Sequence, residues 1–75
     1  MAKLPQLTAI QLSKIIQKIG FQFIRQTGSH MFFKHSDGRS TVIPNHPGEK
    51  IGPGLLLKII KKDLNLTREE FDKLL

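Results

Sequence analysis

Two turn signals, Thr27-Gly28-Ser29 and Ser36-Asp37-Gly38-Arg39, cut the middle of this chain into runs too short to be helices. Asp-Gly in particular suits the tight turns whose twist matches that of flanking strands. The runs read as strands over 21–26, 30–35 and 41–43, the last ended by Pro44. Strands joined by turns this short must be antiparallel, so the middle of the chain is a three-stranded meander. Period-two alternation then assigns faces. Phe21, Phe23 and Arg25 point one way in the first strand, and Gln22, Ile24 and Gln26 the other. In the second, His30, Phe32 and Lys34 share one face, and Met31, Phe33 and His35 the opposite one.

The flanks carry helical periodicity. Leu12, Ile15, Ile16 and Ile19 form one apolar stripe and predict a helix over 8–19. Thr8 and Gln11 have the spacing of a capping box, and Gly20 suits the left-handed position after the last turn. An irregular polar loop over 45–52 leads to Pro53, a residue at home in a first helical turn. A second helix follows over 54–63, with Leu55, Leu56, Leu57, Ile59 and Ile60 as its apolar residues, Leu64 just beyond them, and Lys58, Lys61 and Lys62 on its outer side. Thr67 and Glu70 form another capping box before a short helix over 68–74. The expected fold is therefore α+β: a helix, a three-stranded antiparallel sheet, a helix and a short C-terminal helix. The chain, 1–75, is short enough to be a single domain. Helices packed on one face of such a sheet leave the other face to solvent. The order matches the double-stranded-RNA-binding-domain arrangement, which reads A-form RNA by shape and by phosphate and 2′-hydroxyl contacts.

Charge narrows the partner. Twelve Lys and Arg stand against six Asp and Glu, a net +6. The surplus is uneven: residues 1–62 hold ten basic and two acidic residues, and residues 63–75 hold two basic and four acidic. A basic body with a mildly acidic tail favours a polyanion. With no cysteine in the chain, disulfides, thiolate metal sites and thiol catalysis are excluded. No leader pattern or membrane-spanning apolar run is visible, so a cytoplasmic protein is expected.

The residues that can carry chemistry centre on Gly28-Ser29-His30. Gly28 permits a tight turn, Ser29 offers a hydroxyl, and His30 opens the central strand, where the backbone is held firmly. An imidazole moves protons near neutral pH. RNA cleavage can use the substrate's own 2′-hydroxyl as nucleophile, so a positioned base or acid with cationic neighbours supplies much of what it needs. Arg25 and Lys34, read as flanking the turn on paired strands, would place charge near a scissile phosphate; the plain alternative is edge charge that prevents aggregation. Lys50, Lys58, Lys61 and Lys62 are read as a candidate RNA-binding stripe, or else as a solvated loop and helix face. His35 falls on the face opposite His30 and reads as a surface or hairpin residue. His46, in the loop after the third strand, is a loop residue with a candidate role at RNA. Three histidines this far apart with no ligating companions do not suggest a metal site. Of Phe21, Phe23, Phe32 and Phe33, two or more are expected in the core rather than stacked on bases.

In combination these residues resemble the HicA (YcfA-like) toxins. The resemblance runs through Lys18-Ile19-Gly20-Phe21, Arg25-Gln26-Thr27-Gly28-Ser29-His30, Lys34-His35-Ser36-Asp37-Gly38-Arg39, Ile43-Pro44-Asn45-His46, Gly54-Leu55-Leu56 and Leu66-Thr67-Arg68-Glu69-Glu70-Phe71. It implies a double-stranded-RNA-binding-like fold and a metal-independent endoribonuclease that cleaves mRNA. It also implies His30 as catalytic histidine, no cofactor, and neutralisation by a HicB antitoxin, the toxin being a monomer or part of a hetero-oligomeric complex. Two positions depart from the pattern: Met31 stands where many members have a second histidine, and Leu55 where many have threonine. The alternative to the enzyme is a non-catalytic basic RNA-binding module.

Overall fold

The computed structural model describes residues 4–75. Its elements follow the order α1 (Ala9–Lys18), β1 (Gln22–Thr27), β2 (His30–Lys34), β3 (Ser40–Pro44), α2 (Pro53–Lys58) with a π-helical continuation (Ile59–Asp63), and α3 (Arg68–Asp72). The sheet is antiparallel with strand order β1-β2-β3. The α+β architecture is the expected one, and its order is compatible with the double-stranded-RNA-binding-domain arrangement.

Helix α1 starts where its side chains say it should. Thr8 Oγ1 accepts the Gln11 N–H at 3.2 Å, and the Gln11 side chain accepts the Thr8 N–H at 2.9 Å. The helix buries Leu12, Ile15 and Ile16 against the sheet. Fully removing an aliphatic side chain from water contributes about 1.5–3 kcal/mol, so Leu12 and Ile16 are major anchors. From the other side come Met31, Phe33 and Ile43, joined by Leu56, Ile59, Ile60 and Leu64 of the second helix and by Phe71 of α3. Phe21 belongs to this core too, but just ahead of β1 rather than in it.

The second helix begins with Pro53 in its first turn and changes pitch at Ile59. No side chain caps its start. The π-helical turns bring Asp63 beneath β3, where its Oδ2 accepts the buried Thr41 hydroxyl at 2.8 Å. The helix then ends in Leu64 and Asn65, the latter at φ 55°, a left-handed conformation that asparagine tolerates well.

The far end of the β2–β3 hairpin is tied down by two side chains. His35 Nε2 faces the Ile19 carbonyl at 2.8 Å, so this nitrogen carries the proton, and Nδ1 accepts the Asp37 N–H at 3.1 Å. The ring meets the edge of Phe21 at 5.1 Å between centroids. The Arg39 guanidinium donates to the Leu64 carbonyl at the end of the second helix, lies over Phe21, and pairs with Asp37 at 2.8 Å. The Arg39 backbone N–H, with this guanidinium, holds the Asp37 carboxyl below its ordinary range.

Gly20 completes this junction at φ +102°, and a Cβ placed there would stand 2.8 Å from His35 Nε2. Gly20→Ala thus combines backbone strain with a clash against an anchored ring. It should destabilise the fold by about 1–3 kcal/mol, read as a lowered urea midpoint with unchanged slope. A wild-type midpoint would show that the junction is not fixed as described.

Candidate active site on the open sheet face

Both helical segments bury their apolar residues on one side of the sheet, so the site is built on the other. His30 opens β2 directly after the turn. Gly28 takes φ +60°, and the Gln26 side-chain amide donates to the Gly28 carbonyl at 2.9 Å, closing the turn. The Asn45 N–H donates to the Ser29 carbonyl at 2.6 Å and ties the exit of β3 to the same corner. Ser29 is half-buried and contributes through this carbonyl.

Register defines what surrounds the imidazole. His30 stands opposite Thr27 on one side and Pro44 on the other. Its side chain is exposed and makes no hydrogen bond or ion pair with the described residues. Two positions along β2 lies Phe32, opposite Val42 and Arg25. Arg25 reaches this face through an irregularity that period-two reading does not foresee. Phe23 pairs with Phe33 and Arg25 with Phe32, so Ile24 is an extra, bulged residue. Simple alternation puts Arg25 on the same face as Phe23. The bulge instead turns it to the face of His30, with its guanidinium 4.7 Å from the Phe32 ring centroid.

Lys34 shares that face but not the corner. It lies four residues along β2 from His30, roughly 13 Å at the rise of an extended strand, beside Gln22 and Ser40. It therefore does not flank the turn as the sequence suggests. His46 lies near the His30 corner, in a hollow of about 130 Å³ lined also by Pro44, Glu49, Lys50 and Leu55. That is below the roughly 300 Å³ at which small-molecule sites begin. Lys50 is placed by a bridge to Thr8. Lys58, Lys61 and Lys62 are exposed on the second helix, in the layer on the other side of the sheet from His30; Lys58 also lies 3.7 Å from Asp63. The four lysines thus do not form one stripe with the His30 corner.

The departures from the family pattern have physical readings. Met31 is 4% exposed and points into the core, so a histidine at that position would not join His30 on the open face. The N-cap of α2 is Gly52, which has no side chain to cap with, and Leu55 stands at the third position inside the helix. Among the described residues, no group of three or more His, Cys, Asp or Glu comes together that could hold a metal ion.

The fold and this face define a small basic α+β protein with an unengaged imidazole on an open, cation-bearing sheet. Residues 11–66, well over half the chain, match the model for the HicA toxin of bacterial toxin–antitoxin systems, and the chain belongs to that family. No curated protein matches it. The match contains Gly28-Ser29-His30, the bulged strand and the whole second helix; α3 lies wholly beyond it.

The two strand-end histidines should separate cleanly in stability measurements. His30→Ala removes no contact and should change stability by no more than about 0.5 kcal/mol. His35→Ala removes the bond to Ile19 and the contact with Phe21, and should cost about 1–3 kcal/mol. Equal losses in thermal unfolding would mean that His30 is structural.

Proposed function

We propose that this toxin acts by cleaving mRNA, as an endoribonuclease that needs no metal, with His30 as its proton carrier. The observation that carries the reading is the exposed His30 imidazole, fixed at a strand start and left without a partner among the described residues. His35, half-buried with both ring nitrogens engaged by Ile19 and Asp37, has no free nitrogen to offer a substrate. His30 does.

In the reaction the substrate's 2′-hydroxyl gives its proton to the imidazole and attacks the adjacent phosphorus. The P–O bond to the 5′-oxygen of the next nucleotide breaks, and that oxygen receives a proton. The products are a 2′,3′-cyclic phosphate and a 5′-hydroxyl; later hydrolysis of the cycle leaves a 3′-phosphate. Arg25 supplies positive charge two strand positions from His30, which favours the charge that builds on the phosphoryl oxygens. Gly28 and Ser29 hold the corner. His46 and Lys50 extend it past Pro44, while Lys34 continues the cationic path along β2. Lys58, Lys61 and Lys62 bind the phosphates of longer RNA from the helical layer.

Membership in a toxin–antitoxin family implies an antitoxin partner. We propose a HicB-like protein that covers the His30 face, so that neutralisation and exclusion of RNA are one event. Among the described residues no helix is long and apolar enough to cross a membrane, and we place the activity in the cytoplasm, with its substrate.

Single-stranded RNA incubated with the protein in EDTA should be cut to products with 2′,3′-cyclic phosphate or 3′-phosphate ends, and His30→Ala should not cut it. If neither protein cuts but both bind RNA, the chain is a binding module and the enzyme reading fails.

A further inference from the structure

The stacked Arg25–Phe32 pair has no evident structural duty. Phe32 lies on the face opposite the core, and the residues that bury the sheet are its neighbours Met31 and Phe33. The ring is half-buried, and what remains open of it faces away from the core. Arg25 covers part of one side, at 4.7 Å from the ring centroid, and it does so only because Ile24 is bulged. Val42 flanks the ring from β3 and is 38% exposed. No carboxylate stands among the residues that the register places on this face, whereas Arg25 and Lys34 both do.

We propose that the Arg25–Phe32 pair is a stacking platform for one unpaired base of the substrate, next to the phosphate presented to His30. The inference rests on the ribonuclease reading and deepens it, because it specifies single-stranded RNA. Three features converge. Residues two apart on a strand point the same way and are about 7 Å apart, close to the length of one nucleotide. Bases splayed out of a single strand stack on aromatic rings and on guanidinium planes, and this pair presents both. The guanidinium keeps its charge while stacked, so the same side chain attracts the adjoining phosphate. A duplex cannot use the platform, since its bases already stack on each other.

The platform also gives the bulge a purpose. Without Ile24's extra position, Arg25 would stand opposite Met31 and face the core, and Phe32 would stand opposite an isoleucine with no charge to offer.

The test uses the non-cutting His30→Ala protein and a single-stranded RNA oligonucleotide carrying one 2-aminopurine, moved through successive positions. Stacking should quench the fluorescence at one position, and the same sequence as a duplex should bind more weakly. Adding Phe32→Leu, which keeps apolar bulk but removes the ring, should abolish the quench and weaken binding roughly 5- to 150-fold. Phe32→Trp should retain both, which loss of sheet structure would not. Unchanged binding and quenching in the leucine variant, or equal affinity for duplex and single strand, would overturn the platform. Cleavage by the otherwise wild-type protein is scored separately. If it cuts RNA and Phe32→Leu cuts with the same kcat/KM, the platform falls while the ribonuclease stands; if it does not cut, the ribonuclease falls while quenching still decides the platform.

Discussion

Both helical segments bury their apolar stripes against the same face of a three-stranded sheet, and everything functional depends on that one-sidedness. Leu12 and Ile16 from α1, and Leu56, Ile59 and Ile60 from the second helix, meet Met31, Phe33 and Ile43. Strand alternation then forces His30, Phe32 and Lys34 to the other side. The core therefore places the imidazole in solvent without any contact to the imidazole itself. The fold makes no use of the His30 side chain, which stays exposed on the open face.

Rigidity at the two ends of the sheet is achieved differently. The hairpin end is locked by side chains: His35 on Ile19, Arg39 on Leu64 and Phe21, and Thr41 on Asp63. The His30 end is held mainly at the backbone, through the Asn45–Ser29 hydrogen bond and the turn at Gly28, whose carbonyl accepts from the Gln26 amide. Charged and aromatic side chains at the first end are consumed by structure. At the second they remain available to a ligand. This division separates two histidines that composition alone treats as equivalent.

Much of this was legible from the residues. Both capping boxes, the Asp-Gly hairpin, the proline in the first turn of α2 and the opposition of His30 to His35 follow from local rules, and local rules govern them. What escaped the sequence involves residues distant along the chain or insertions of a single position. A bulge at Ile24 leaves composition and spacing unchanged yet reverses the face of Arg25. The π-helical stretch likewise shifts which residue meets the sheet. Arg39 reads as a turn residue, and only the packed fold shows it gripping a helix end. Helical periodicity exposes the lysines of the second helix, but exposure does not say on which side of the sheet they lie. Lys34 sits a strand's length from the turn, at the far end of β2.

On the proposed function, RNA is cut on the open sheet face beside His30, and the lysine-bearing helix holds only the flanks of a longer strand. Amide chemical-shift mapping on the intact protein, with a single-stranded oligonucleotide whose 2′-hydroxyls are replaced by hydrogen so that it cannot be cut, tests this directly. The largest shifts should fall on Thr27, Gly28, His30, Phe32 and Asn45. Shifts confined to Leu57, Lys58, Lys61 and Lys62, with the His30 corner silent, would contradict it.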